Sequence, residues 1–413
     1  MTKSVHKTGK CGAVRAALIA LATTGLLAGC AGGDASSSAT ATAQTPDSSS
    51  PTLTTQTPQV GQGSSKLPFD AGLPVTQVID VPAGGLQRLD PSGPSMGGDF
   101  RVIPSLPLDV GSAFGSVSDT PDNISSYDPA ILSAGGTKRL RDHRQDPTYY
   151  EPQDGVQVGD WLIWREATLS NTPGQVSDNW RLVSYNLKES QAHILGSAQE
   201  LNGTANTPVA SGESLPAVLD GHAYFCSSVN GDGDWSAQIL EVPLDGSQQL
   251  KRVATGCWPS SDGKQLLYLS NPRPGTWELR SMQSPRSLAS LQSDAWSMSG
   301  LWSSQELTAL AFSSESGSYL AAWRNADPSK VVWLHLRSTH PVVSVAKERM
   351  AIGGGSDAEH SEMLLWSWGS EQPLLLGEAD GYSRPTLSAS GDAVLVPTQQ
   401  SGKVTWDIRP AGK

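Results

Sequence analysis

Basic residues are scarce in this chain: 29 Lys and Arg stand against 40 Asp and Glu, for a formal net charge of −11. A surface of that sign repels phosphate backbones and argues against nucleic acid as a partner. The one basic run, "TKRLRDHR" at Thr137 to Arg144, is interrupted by Asp142 and reads as a solvated strand or loop rather than an anion site. Long apolar runs are missing after residue 29, so no later segment offers the roughly 20 residues a helix needs to cross a bilayer. Metal-ligand spacing is missing too. His143, His193, His222, His335, His340 and His360 show no H-x-H or H-E-x-x-H pattern, so a metal site has to be assembled from distant parts of the chain. Sustained helical periodicity is also lacking. What remains is a series of short β-like runs punctuated by 28 Pro and 42 Gly, a composition suited to many tight turns.

The first thirty residues are the exception. Lys3, Lys7, Lys10 and Arg15 precede the apolar run "AALIALATTGLLAG" from Ala16 to Gly29, the order of an export signal. The run ends in "LAGC", Leu27 to Cys30, which resembles the lipobox of bacterial lipoproteins. The resemblance implies cleavage before Cys30, diacylglyceryl attachment to its thiol and acylation of the new N-terminus, palmitate being a typical chain. Several acyl chains hold a protein on a membrane where one alone binds only marginally. Loss of residues 1–29 removes four positive charges and no acid, which moves the net charge to −15. Residues 31–65, rich in Ser, Thr, Pro and Gly and almost free of bulky apolar side chains, cannot bury enough surface to fold. The expected layout is a signal peptide over 1–29, a lipidated disordered tether over 30–65 and a folded body over 66–413. That body is expected outside the cytoplasm, held at the cell membrane by the anchor, and monomeric.

With Cys11 removed and Cys30 lipidated, only Cys226 and Cys257 remain. They form either a disulfide, in keeping with an oxidising compartment, or two buried free thiols; their spacing leaves both open.

Self-comparison gives the fold. The runs "DWLIWREA" (Asp160), "GHAYFCSS" (Gly221), "KQLLYLSN" (Lys264), "LTALAFSS" (Leu307), "RMAIGGGS" (Arg349) and "DAVLVPTQ" (Asp392) each follow a polar turn, and the last five begin about 43 residues apart. Each is followed by a second strand with an aromatic or branched middle, such as "TWELRSM" or "EMLLWSWG", and most by a third. A fixed period of this length fits four-stranded propeller blades better than a Trp-rich sandwich. At "CWPSSDGKQLLYLSN" the residues Asp262-Gly263-Lys264 resemble the TolB-type propeller repeat, in which Asp-Gly makes the turn between the first and second strands. The WD-type repeat fits less well, since Gly221-His222 and Trp406-Asp407 each occur once, in different repeats. The predicted fold is therefore an all-β propeller. It has seven blades if "GDFRVIPSLPL", "NISSYDPAIL" and "TKRLRDHR" are strands of a further blade starting near Gly98, and six otherwise. "TQVIDVP", Thr76 to Pro82, is well placed to supply the missing outer strand of the last blade and close the ring.

Candidate sites are few. Asn230, Asp232, Asp234 and Glu241 occupy the first, third, fifth and twelfth places of a calcium-loop template, but Trp235 stands where the template needs Gly, and an alternating strand follows. A plain hairpin tip is the better reading, with no cofactor expected and Ca2+ the only cation with candidate ligands. "GPSMG", Gly93 to Gly97, matches the G-x-S-x-G nucleophile pattern at Ser95 without the strand before it and helix after it that the pattern needs. His360, with Asp357, Glu359 and Glu362, is the densest titratable group and reads as a loop decoration. Among the thirteen Trp, mid-strand Trp164, Trp277, Trp366 and Trp406 are expected to pack between blades. Trp161, Trp235, Trp258 and Trp302, nearer turns, are candidates for a rim that binds sugar rings or peptide. No constellation defines a reaction. The preferred reading is a binding module for an envelope protein or cell-wall polysaccharide; the rival is an extracytoplasmic hydrolase of glycosidase or lactonase type, with its site in the propeller channel.

Overall fold

The computed structural model describes residues 68–96, 102–119, 127–141, 150–172, 175–205, 207–210, 214–231, 234–273, 275–354, 361–379, 381, 383–400 and 403–412. Cys30 and the tether lie outside them, as do Asp232, Asp357, Glu359 and His360.

Seven antiparallel meanders of four strands follow one another as blades. Blade 1 is built from Val102–Pro107, Ser112–Val117, Asp128–Ser133 and Gly136–Arg139; blade 2 from Glu151–Val158, Trp161–Thr172, Gln175–Asn186 and Gln191–Ser197. Blade 3 comprises Ala217–Leu219, His222–Gly231, Asp234–Pro243 and Lys251–Thr255; blade 4 comprises Cys257–Ser261, Leu266–Arg273, Thr276–Ser281 and Ser284–Gln292. Blade 5 runs through Ser297–Ser303, Leu307–Ser314, Gly317–Arg324 and Asp327–Leu336, and blade 6 through Pro341–Ala346, Arg349–Gly354, Ser361–Ser367 and Leu374–Ala379. Blade 7 has Thr386–Leu387, Ala393–Gln400 and Lys403–Pro410 from the end of the chain, and its fourth strand, Ser95–Met96, from the beginning. The innermost strand of blade 7 packs beside that of blade 1, which closes the ring.

The core lies between blades. In Leu307–Ser314, Ala309 and Ala311 face blade 6 while Leu310 and Phe312 face blade 4, because successive side chains point to opposite sides of a sheet. Both faces are buried, so the strand reads as a continuous apolar run instead of an alternating one. A buried cluster fills each of the seven interfaces: Phe114 and Trp164 between blades 1 and 2, Ile163 and Phe225 between 2 and 3, Ile239 and Leu266 between 3 and 4, Phe312 and Leu279 between 4 and 5, Leu320 and Ile352 between 5 and 6, Met363 and Val394 between 6 and 7, and Ala113 and Ile408 between 7 and 1. No blade covers itself.

The Asp-Gly turn of blade 4 forms as its chemistry dictates. Asp262 Oδ1 accepts the N–H groups of Lys264 and Gln265 at 2.8 Å each, and Gly263 takes φ +83°. In blade 5 Ser304 Oγ holds the same turn, accepting from the N–H of Glu306 and Leu307. A hydroxyl thus replaces the carboxylate in the degenerate repeat.

The expected closure by residues 76–82 is corrected. Gln77–Asp80 pairs in parallel with the outer strand of blade 5, Val78 opposite Trp333 and Asp80 opposite His335. Residues 68–96 form a belt that starts against the outer strand of blade 4 and runs along blades 5, 6 and 7. Phe69 inserts edge-on between Tyr319 and Trp333, Trp333 Nε1 donates to Pro74 O at 2.9 Å, and Leu89 and Gln87 bond Leu375 of blade 6 on both sides. Ser95 and Met96 then pair with Asp407 and Trp406 to complete blade 7. Ser95 of the "GPSMG" match is therefore a sheet residue.

Cys226, on the second strand of blade 3, and Cys257, opening the first strand of blade 4, are joined in a disulfide with Cα atoms 5.1 Å apart. The bridge crosses a blade interface.

Candidate functional site

The upper end of the ring carries the turns between second and third strands and the crossings from each blade to the next. There, between blades 4 and 5, an open cleft of about 400 Å3 is bounded by Trp277 and Trp296, with Asp294, Glu315 and His340 on its rim. Its shape follows from one tight crossing. Ser293 Oγ accepts the N–H of Ala295 at 3.2 Å and of Trp296 at 3.0 Å, while Ser293 N–H donates to Gly275 O at 2.9 Å. This turn pushes Asp294 outward and tucks Trp296 inward, where it is 8% exposed. Trp296 leans on Tyr319, 5.6 Å between ring centroids, and Tyr319 contacts Phe69 of the belt and stacks on His335 at 4.5 Å. Burial, then the Asp80 carboxylate, pushes the Tyr319 hydroxyl up. Gly275, at φ +70°, leaves room for Asp294: a Cβ there would stand 3.2 Å from Asp294 Oδ1. On the opposite wall Ser313 Oγ bonds Ser299 Oγ at 2.6 Å, and Glu315 sits exposed in the turn after it. Two carboxylates, two indoles, the His340 imidazole and several hydroxyls meet here, and among the described residues no Lys or Arg lines the cleft.

The four Trp expected to form a rim do not share a surface. Trp161 opens the second strand of blade 2 at the lower end and packs on the interface with blade 3, 6.2 Å from His193. Trp235 lies at the upper hairpin tip of blade 3, opposite Asn230. Trp258 takes φ +57°, and its ring meets Trp302 edge-on at 5.4 Å across the innermost strands of blades 4 and 5, with Trp302 only 5% exposed. Trp277 was expected in the core; it packs on the interface of blades 4 and 5 and also reaches the cleft. Trp296 carried no repeat signal, because it sits in a crossing.

The calcium template is not realised. Asn230 pairs with Trp235 at the hairpin tip, but Glu241 pairs with Tyr224, six residues further along a strand and so about 20 Å away. Glu241 instead lies 3.8 Å from His222 Nε2 at the other end of blade 3. Among the described residues no group of three or more His, Cys, Asp or Glu is arranged to hold a metal ion.

Blade 2 holds a buried charge group that sequence patterns did not signal. Glu166, fully buried and facing blade 1, pairs with Arg181, accepts from Trp164 Nε1 at 2.9 Å and lies 3.8 Å from Arg141. The Arg181 guanidinium rests 3.9 Å over the Tyr150 ring. These groups are closed off by one another, an arrangement that orients strands. On the innermost strand, burial pushes the Glu151 carboxyl up; on the neighbouring strand, burial lowers Arg165 to about 10.

No family model matches the chain, and no curated protein matches it. Solved structures with a similar course include an oligogalacturonate lyase in complex with manganese, at 8% identity and a TM-score of 0.48 over 76% of this chain and 90% of that one. A second oligogalacturonate lyase, from Vibrio parahaemolyticus, aligns at 8% identity and 0.45 over 79% and 93%. The propeller domain of the trilobed protease of Pyrococcus furiosus aligns at 12% identity and 0.39 over 64% and 83%. At this distance neither substrate nor metal carries over to this chain.

Proposed function

We propose that the chain is a lipid-anchored extracytoplasmic lipoprotein whose propeller is a binding module for an envelope partner, protein or cell-wall polysaccharide. One observation carries the binding role: an open cleft at the upper end, walled by Trp277 and Trp296 with exposed Asp294 and Glu315. Openness suits recognition of part of a larger molecule, since chemistry on a small substrate generally needs water excluded. The anchor rests on the order of basic residues, apolar run and "LAGC". The disulfide between Cys226 and Cys257 agrees with an oxidising compartment.

Two measurements test the reading. Labelled palmitate should enter the wild-type chain and not Cys30→Ala, and only the wild type should sediment with membranes. Crosslinking of the chain in intact cells should give an adduct with an envelope component that Trp277→Ala loses. Unlabelled, freely soluble wild type would overturn the anchor, and adducts indifferent to Trp277 would overturn the cleft. The hydrolase reading rests on Glu151, a carboxyl held up by burial on the innermost strand of blade 2. Hydrolysis of a model glycoside that disappears in Glu151→Gln would favour it instead.

A further inference from the structure

We propose that the cleft between blades 4 and 5 takes a saccharide unit bearing a cationic amine; this rests on the reading of the cleft as a recognition site. The lining sets three demands on a ligand. The half-buried indole of Trp277, with the buried Trp296 also lining the cleft, requires an apolar face, since an aromatic surface in contact with water is stabilised by covering it. Ser293 and Ser297 sit beside those rings and offer hydroxyl protons, those of Ser313 and Ser314 being engaged with Ser299, Ser316 and Gly317, so the same small body must carry hydrogen-bonding groups close to its apolar face. A pyranose ring does both, presenting C–H groups on one side and hydroxyls around its edge.

The third demand is charge. Asp294 and Glu315 are exposed, and neither has an ion-pair partner among the described residues. Among the described residues no Lys or Arg lines the cleft and His340 on its rim is the one basic side chain, while the exported chain carries a net charge of −15 after loss of residues 1–29. A uronic acid, sulfate or phosphate would be repelled. An ammonium group gains a charge-assisted hydrogen bond from either carboxylate and is attracted to the face of an indole. A volume of about 400 Å3 falls in the lower part of the usual range for ligand sites and accommodates one or two sugar rings. A lysine-rich peptide would satisfy the charge and leave the hydroxyls unused.

The test uses the full chain purified in detergent and titration calorimetry with three probes: a glucosamine tetramer, its fully N-acetylated counterpart and tetralysine. The glucosamine tetramer should bind, and the acetylated one should bind about tenfold or more weakly because it lacks the ammonium groups. Asp294→Asn with Glu315→Gln should remove that preference, and Trp277→Ala should weaken both sugars. The two carboxylates are exposed, so their amide variants keep the fold, which circular dichroism melting verifies. No heat with the glucosamine tetramer, equal affinity for the acetylated form, indifference to the amide variants or preference for tetralysine would each overturn the proposal. If the sugars fail while the envelope adduct still depends on Trp277, the ligand class falls and the binding module stands; an adduct independent of Trp277 removes the module itself.

Discussion

Blades 5 to 7 and blades 1 to 4 solve the same problem by different means. Every blade ends in an outer strand whose unpaired backbone groups are a template for aggregation. In blades 5, 6 and 7 the belt of residues 68–96 covers that edge, as a parallel strand, a pair of backbone bonds at Leu375 and an antiparallel fourth strand in turn. In the others the edge defends itself. The outer strand of blade 1 is only Gly136–Arg139, with Lys138 and Arg139 on it; those of blades 2 and 3 contain or face a bulge; that of blade 4 carries Pro285 and Arg286 and meets only the first turn of the belt, Pro68–Ala71. The contrast teaches that ring closure in this chain is spread over a long segment, and that nearly thirty residues outside the repeats bear on the stability of the belted side.

The strongest way to break this comparison is to delete residues 68–96. Blade 7 then loses its fourth strand, and the buried contacts of Ala71 and Ile79 go with it. A loss above about 5 kcal/mol is expected, the lower end of the total stability of an ordinary domain, so cooperative melting by circular dichroism should vanish. A melting curve like the wild type's would mean the belt is ornamental. Next comes the bridge between blades 3 and 4. The cysteines are separated by 31 positions, and reduction should cost about 3–4 kcal/mol on the chain-entropy account, read as a lower urea midpoint with reductant and no further change in Cys226→Ser. Ile79→Ala sharpens the contrast further. Ile79 is 3% exposed against blades 5 and 6, so about 2–4 kcal/mol should be lost, with faster amide exchange on the outer strand of blade 5 and little change in blade 2.

The smallest effect belongs to the unbelted side. The Glu151 carboxyl is raised from an ordinary 4.5 by burial, so its contribution favours the folded state fully below that value and is lost as pH rises through the folded value. Glu151→Gln should therefore flatten the decline of stability from pH 4.5 upward and leave the chain slightly more stable at neutral pH. A steeper decline in the variant would reverse the assignment.

Much of the fold was legible because it is local chemistry repeated. The spacing of about 43 residues, the buried second strands and the Asp262-Gly263 turn all appear where the repeat placed them. Ser112–Val117 was missed in blade 1, since "SAFGSV" packs small residues and resembles no other second strand. The closing strand was misplaced for a related reason. "TQVIDVP" has the side-chain pattern of a strand, whereas Ser95 and Met96 need only two rungs of backbone bonding, which any side chain permits. Trp161, Trp235, Trp258 and Trp302 were grouped by nearness to turns, but turns occur at both ends of a ring, and neighbours around the ring are not neighbours in the repeat.

Periodicity and turn residues were therefore determined by the sequence alone, because a propeller blade is a local meander and each of its signals spans only a few residues. Which strand completes blade 7, where the belt lies, and that Trp277 and Trp296 share a cleft with Asp294 and Glu315 were decided only in the tertiary structure. A sheet with two apolar faces must be covered by its neighbours, and the angle at which those neighbours meet sets what comes together at the rim.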